Sequence, residues 1–348
     1  MTTPEELYKL EQGVVERSVG PWKRDVEEVK KQILIKIAGA DTSDLSVLVP
    51  EIMALLETLN VPVGMGEEAL QGVLEAHAFG KEVVANAVDG EQPKILVSKN
   101  SKDAVGSLRI GAESALQEAK DNLSRGLIGK GAQSILTAVA PVLQNPAKSE
   151  AAITWAVNNA SNSAVSKLSL KMGETMTWIS ERNGCVHCMA YSGKRSTKTG
   201  FPEDLTFGAK PLAVQGTLPH PPLHPHCRCT VEPGITDDYA AALERESIRS
   251  VLKGFKLPSE SDKVRIEAAK RLLDTDPVAP ESVKKYAKKS IKDFEAEKAL
   301  KAKPILADSI EGKDFRSMTN AEKLRAAEAM YGKNSKQYRD AQKRFGKK

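Results

Sequence analysis

The sequence has few aromatic residues, few cysteines and histidines, and no long apolar run. Aromatic residues make up 5% of its 348 positions, whereas 41% are hydrophobic and 28% are charged, a balance typical of globular proteins rich in helices. No apolar run approaches the roughly 18 residues that a membrane-spanning helix requires, so we predict no membrane partner. The opening residues, MTTPEELYKLEQ, lack the apolar core of a signal peptide. We therefore expect the protein to be made and used in a reducing compartment.

Sequence motifs of the common catalytic classes are also missing. The chain contains no G-x-S-x-G nucleophile elbow, no H-E-x-x-H metalloprotease helix and no G-x-x-x-x-G-K-[ST] phosphate loop. His187, His220 and His226 are candidate acids or bases, but no neighbouring residue pattern orients them. We predict that the protein is not an enzyme and has no small-molecule substrate.

Helical periodicity dominates residues 1–150, the predicted N-terminal helical region. After Pro21, apolar residues recur at steps of three and four until Gly39, and a second helix is predicted to open at Pro50. The first stripe consists of Trp22, Val26, Val29, Ile33 and Ile37. His77 stands alone in this region and is interpreted as a packing residue.

Residues 151–235 have a different texture. A helix rich in Asn and Ser leads to ETMTWIS at 174–180, whose alternation predicts a short strand. Residues 206–222, TFGAKPLAVQGTLPHPP, are predicted to form an irregular loop. Residues 236–348 return to helical patterns and are basic. The predicted fold class is mainly α with a small α+β zinc-stabilised module, α+β overall.

All four cysteines and four of the five histidines fall between positions 185 and 229. Cys185 and Cys188 form a C-x-x-C pair, and HPHCRC supplies His224, Cys227 and Cys229. Four thiolates, or three thiolates and one imidazole, complete a closed tetrahedral zinc site. We predict one structural zinc held by Cys185, Cys188 and Cys227, with the fourth place taken by Cys229 or His224.

Three other interpretations of the cysteines were weighed. Disulfide pairing is disfavoured by the expected reducing compartment. A thioredoxin-like site requires a βαβ pattern, which does not follow Cys188. A zinc deaminase requires H-x-E and P-C-x-x-C, whereas Gly184 precedes Cys185 and no histidine is followed by x-Glu.

The net charge of +5 is unevenly distributed. Residues 284–303 contain eight lysines and three acids, and residues 331–348 contain seven basic residues and one acid, so the rest of the chain carries −6. Interleaved Lys and Glu are common on solvated helices, but such basic stretches also bind nucleic acid or acidic protein surfaces. A zinc-dependent nucleic-acid-binding protein is therefore the alternative functional hypothesis.

At the cysteine region the sequence resembles a known family. TWISERNGCVHCMAYSGK followed by GTLPHPPLHPHCRCTVEP is similar to the Mu-F-like minor head proteins of tailed bacteriophages, also called the phage head morphogenesis family. The resemblance covers about 151–235, and ERNG stands where the family often has Asp before the first cysteine. The matching residues are Trp178, Cys185, Cys188, Gly193, Pro221, Pro222, His224, Pro225, Cys227, Arg228 and Cys229.

This resemblance implies a structural, non-enzymatic minor capsid protein that acts in head morphogenesis. It implies a location in the virion, at the portal vertex of the head, after assembly in the host cytoplasm. The implied partners are the phage portal protein and the major capsid protein, with packaged DNA as a further candidate contact through the basic C-terminus.

Overall fold

The structure is a computed structural model that describes most of the chain. The described residues are 4–40, 45–125, 131–181, 184–202, 205, 207, 219–254, 261–276, 279, 281–302, 319–320, 323–324, 327–328 and 336–345. The chain divides into two compact units, Met1–Ser247 and Ile248–Lys348.

The described chain is mainly helical, with one small antiparallel sheet, which confirms the predicted fold class. The elements are α1 (Pro4–Ser18), α2 (Gly20–Gly39), α3 (Leu45–Glu57), α4 (Met65–Ala87), α5 (Lys99–Gly106), α6 (Leu108–Ser124), α7 (Ala132–Met172), β1 (Met176–Ile179), α8 (Val186–Tyr191), β2 (Thr230–Pro233), α9 (Asp237–Gly254), α10 (Ser261–Thr275), α11 (Glu281–Ala302) and α12 (Lys336–Phe345).

The predicted apolar stripe of α2 is confirmed, since Trp22, Val26 and Ile33 are fully buried. The predicted start of α3 at Pro50 is wrong, because α3 begins at Leu45 and contains Pro50. At this position the proline omits one intrahelical hydrogen bond and its ring crowds the carbonyl four residues earlier, yet the five residues before it are helical.

Helix α7 is the centre of the first unit and packs against α1, α2, α4, α5, α6 and β2. Its 41 residues run through position 150, so the first two predicted regions share this helix and lie in one unit. At Gly80 of α4 an added Cβ would lie 2.3 Å from the Ser161 carbonyl oxygen. Glycine at this position therefore allows α4 and α7 to approach closely.

Buried polar side chains of α7 are satisfied by the elements around it. The Trp22 indole N–H donates to Asn145 Oδ1 at 2.9 Å, and Asn159 Nδ2 donates to Ser101 Oγ at 2.8 Å. A buried amide without such partners would cost roughly 1–3 kcal/mol. These bonds fix which face of α7 meets each neighbour.

The second unit contains the described residues of the basic C-terminal region from Ile248 onward, whereas residues 236–247 of that region lie in the first unit. Helix α10 packs on α11, and its buried residues include Ala269 and Leu272. The Arg249 guanidinium lies 2.5 Å from the fully buried Asp276 carboxylate. In α12, Tyr338 is buried and its hydroxyl donates to Glu328 Oε2 at 3.5 Å.

Candidate metal centre

The two strands bring the two halves of the Cys/His region together. Strand β1 confirms the strand predicted at 174–180 and pairs with β2 in antiparallel register, with Ile179 opposite Thr230. Cys185 follows β1 after a short loop, and Cys229 immediately precedes β2. Both halves therefore meet at the same end of the sheet. Most of the predicted loop at 206–222 lies outside the described residues.

Helix α8 positions the first cysteine pair. Cys185 is its N-cap residue, and the Cys185 sulfur accepts a hydrogen bond from the Cys188 backbone N–H at 3.5 Å. A side chain that caps the first turn points along the helix toward the residue three positions later. Both sulfurs therefore lie on one side of this turn.

A tight turn positions the second group. The Cys227 N–H donates to the His224 carbonyl at 3.1 Å, Pro225 takes the second turn position, and His226 takes the third with φ of 62°. Proline followed by a positive φ is the pattern of a type II turn. The turn returns the chain on itself, which brings His224 and Cys227 to the same cluster.

The structure places all five predicted metal ligands in one cluster. His224 Nε2 lies 3.1 Å from Cys185 Sγ and 3.2 Å from Cys188 Sγ, and Cys188 Sγ lies 3.5 Å from Cys227 Sγ. The donor atoms of Cys185, Cys188 and His224 lie within 4.8 Å of one another, as do those of Cys188, Cys227 and Cys229. Cys188 belongs to both groups and joins them.

This donor set fits a metal ion. Ligand atoms around one tetrahedral zinc are roughly 3.5–3.8 Å apart. The Cys188–Cys227 sulfur distance of 3.5 Å falls in this range. The distances of 3.1 and 3.2 Å from His224 Nε2 to Cys185 Sγ and Cys188 Sγ are shorter. The other ring nitrogen of His224, Nδ1, donates to the Pro225 carbonyl at 2.7 Å. Such a bond turns Nε2 toward the sulfurs, the orientation found for metal-bound histidines generally.

The cluster also supplies deprotonated sulfur. Hydrogen bonding with Cys188 lowers the pKa of Cys185 to about 4 and that of Cys227 to about 3. The hydrogen bond to Cys185 raises the pKa of His224 to about 9. Sharing its proton raises the pKa of Cys188, and burial raises that of Cys229. Thiolates are the form that binds metal, so the lowered pKa values of Cys185 and Cys227 favour metal binding.

The remaining histidines lie apart from the cluster. His187 is half-buried, His226 is exposed, and the ring of His220 contacts the Pro221 carbonyl. His77 is buried in α4, and burial lowers its pKa. In the part of the chain that the structure describes, these four belong to neither group of metal-ligating side chains.

Two supports of the cluster were missed by sequence reasoning. The Asn162 side chain of α7 donates to the Cys229 carbonyl at 3.0 Å and accepts from the Val231 N–H at 3.0 Å. The fully buried Glu11 of α1 accepts a hydrogen bond from Arg228 Nε at 3.0 Å. In the sequence, Arg228 lies between Cys227 and Cys229. Asn162 and Glu11 are polar residues within apolar helical patterns, which could have marked them as buried hydrogen-bonding residues. Their partners could not be predicted, because they are far away in sequence.

The structure also bears on the other interpretations of the cysteines. All four cysteines are free thiols. The C-x-x-C pair does open a short helix after a strand, as in thioredoxin-like proteins. However, the sheet strands β1 and β2 are antiparallel, whereas a βαβ unit has parallel strands.

Comparison with protein-family models, curated proteins and solved structures finds no match to this chain. Among the described helices, none is both long and apolar enough to cross a membrane.

Proposed function

We propose that the cluster is a structural zinc site and that the chain is a minor head protein of a tailed bacteriophage, located at the portal vertex and without enzymatic activity. The observation that carries this proposal is the gathering of five donors in two groups of three that share Cys188. Cys188, Cys227 and Cys229 are each about 1% exposed, and five protein donors are present for an ion that takes four. A catalytic zinc keeps one position open for water or substrate, which this donor set does not require.

The residues of the phage-family resemblance have structural roles around the cluster. The Trp178 ring packs against Tyr191 and Phe201 at centroid distances of 4.8 and 5.2 Å. Gly193 lies against the backbone of α9, and Arg228 binds Glu11. These contacts support a structural role for the segment around the cluster in a protein of the phage head. Zinc bound there would stabilise a segment that has few apolar residues of its own.

Metal analysis of protein purified under reducing conditions tests the zinc assignment. We expect about one zinc per chain, consistent with a single tetrahedral site. His224→Asn and Cys229→Ser separate the two candidates for the fourth ligand, since loss of the true ligand lowers zinc affinity more. His187→Asn is the matched control, because His187 lies in the C-x-x-C turn but outside the cluster. Absence of zinc from the wild-type protein would refute the site.

Co-purification with the portal protein of the same genome tests the head-protein assignment. The neighbouring genes identify that protein, and genes for portal and capsid on either side are expected. Retention of the complex at high salt would indicate an apolar interface, because exposed charges are screened under those conditions. A chain that binds neither portal nor capsid protein would contradict this role.

The alternative, nucleic-acid binding, is favoured by one surface of the second unit. Lys285, Lys288, Lys289 and Lys292 are exposed at helical spacing on α11, and no described residue forms an ion pair with them. Phosphate contacts by four lysines would give a slope of roughly −3.6 in log K against log salt on duplex DNA. Affinity that is independent of salt would argue against this alternative.

A further inference from the structure

A buried carboxyl group, that of Glu232, lies on β2. It is on the face of the sheet opposite to the one that carries Trp178 and Val231. Glu232 is 9% exposed and stands opposite Thr177 in the strand pair. Its neighbour Val231 packs with Trp178, and alternation along the strand turns Glu232 to the opposite face. Within the described chain, no side chain donates a hydrogen bond to its carboxylate or forms an ion pair with it. Burial raises the pKa of Glu232 to about 7.

Glu232 lines a cleft with a volume of about 190 Å³. The cleft lies between the last turn of α4 and the chain that leaves β2, and its walls include the apolar side chains of Val83, Pro233 and Ile235. A carboxyl group at an apolar cleft is costly to ionise unless a cation joins it. The cleft therefore combines a hydrophobic wall with one acidic group that has no hydrogen-bond or ion-pair partner among the described side chains.

The carboxyl end of α4 adds negative potential to the same cleft. Asn86 and Ala87 line it, and the last turn of this 23-residue helix contains no basic residue. The Val88 N–H caps the Val84 carbonyl, but in the described part of the chain nothing donates to the carbonyls of Asn86 and Ala87. Free carbonyls at a helix end carry a partial negative charge that favours cations.

We propose that this cleft binds a primary alkylammonium group, with the ammonium at the Glu232 carboxylate and the α4 carbonyl end, and its aliphatic stem along Val83 and Ile235. A lysine side chain has this division into an apolar stem and a charged head. The same chemistry is presented by a free polyamine. The proposal does not depend on the zinc site or on a role in phage heads.

Binding of n-butylammonium to the full-length protein, purified under reducing conditions, tests the site. The titration follows backbone NMR shifts of Ala87 and Gly234 at about pH 8 and constant ionic strength, and we expect a Kd on the order of 1 mM. Butanol, which has the same stem without the charge, is expected not to bind. Glu232→Gln should weaken butylammonium binding at least about tenfold. Glu82→Gln is the control, because Glu82 is exposed on the same helix and does not line the cleft.

A second variant tests the cleft without relying on Glu232→Gln, which could also change the stability of the fold. Ala87 is exposed, so Ala87→Leu should leave the fold intact while its larger side chain occupies the cleft and abolishes binding. Tighter binding of Nα-acetyl-lysine methylamide than of spermidine would identify a protein lysine as the source, and the reverse order a polyamine. Equal binding by wild type and Glu232→Gln, or no shifts at concentrations about a hundredfold above the expected Kd, would overturn the proposal.

Discussion

The Glu11 carboxylate accepts hydrogen bonds from the Arg228 guanidinium at 3.0 and 3.2 Å, although the two residues are 217 positions apart. Glu11 is fully buried and also accepts from Thr154 and Asn158 of α7. Arg228 lies between Cys227 and Cys229 and stacks on the Tyr8 ring at 5.1 Å. This ion pair therefore ties the cysteine cluster to the first helix of the chain.

Replacing Glu11 with glutamine should destabilise the first unit. The amide keeps the shape of the side chain but removes the closer of the two carboxylates around Arg228, and breaking a buried pair costs about 3–5 kcal/mol. The carboxylate of Glu181 remains 3.8 Å from the guanidinium and offsets part of this loss. We expect the lower end, because the Arg228 side chain is 27% exposed. Urea denaturation measures the change. Glu5→Gln on the same helix, whose partner Lys9 is exposed, should change the free energy of unfolding by less than about 0.5 kcal/mol.

The same variant should also loosen the metal. Arg228 lies between Cys227 and Cys229 and orients the backbone that carries their sulfurs. Loss of a partner that holds a ligand in place commonly lowers metal affinity roughly 10- to 100-fold, and we expect a decrease of that size for Glu11→Gln. Competition with a zinc chelator measures it. Unchanged affinity in Glu11→Gln would mean that Arg228 does not position the cluster.

Gly193→Ala should destabilise the packing of α9 on the module. An added Cβ at Gly193 would lie 2.2 Å from the Ala240 carbonyl oxygen, and the residue has a φ of 77°. The left-handed backbone and the overlap together should cost about 2–4 kcal/mol. Gly111→Ala is the matched control at an exposed position of α6, where an added Cβ would meet nothing within 4 Å, and it should stabilise by about 0.5–1 kcal/mol. Equal effects of the two substitutions would contradict this packing.

Local pattern was enough to predict the stripe of α2, strand β1 and the five Cys and His residues that the structure gathers in one cluster. These features depend on spacing along a short segment, as with Cys185 and Cys188 in one turn. The partner strand was not predicted, because TVEP at 230–233 is four residues long and contains Glu and Pro. Its strand geometry depends on pairing with β1 and on the Asn162 amide, both of which are distant in sequence. Long-range contacts of this kind leave no periodic signal.

Removing the proposed zinc should disorder the end of the sheet beside Cys185 and Cys229 without unfolding the helices. Cys188, Cys227 and Cys229 share a buried cluster with Trp178 and Phe201, whereas the main helical core around Trp22 is a separate cluster. We expect a chelator to reduce near-ultraviolet dichroism strongly and the far-ultraviolet helical signal only slightly. Zinc should restore the first signal. Loss of both signals together would show that the helical core depends on the metal.

Glu232 should make stability depend on pH. Its folded pKa of about 7 exceeds the ordinary value of 4.5, so the folded state binds the proton more tightly than the unfolded state. The resulting stabilisation is fully present below pH 4.5 and is lost as pH rises through 7, by at most about 3 kcal/mol. Urea denaturation of wild type and Glu232→Gln at about pH 5 and about pH 8 measures the difference between the two proteins, in which titration of the cysteines and His224 cancels. The wild type should lose more stability than the variant over this range, whereas Glu82→Gln should follow the wild type. Parallel losses in all three proteins would show that Glu232 ionises in the folded state as easily as in the unfolded chain.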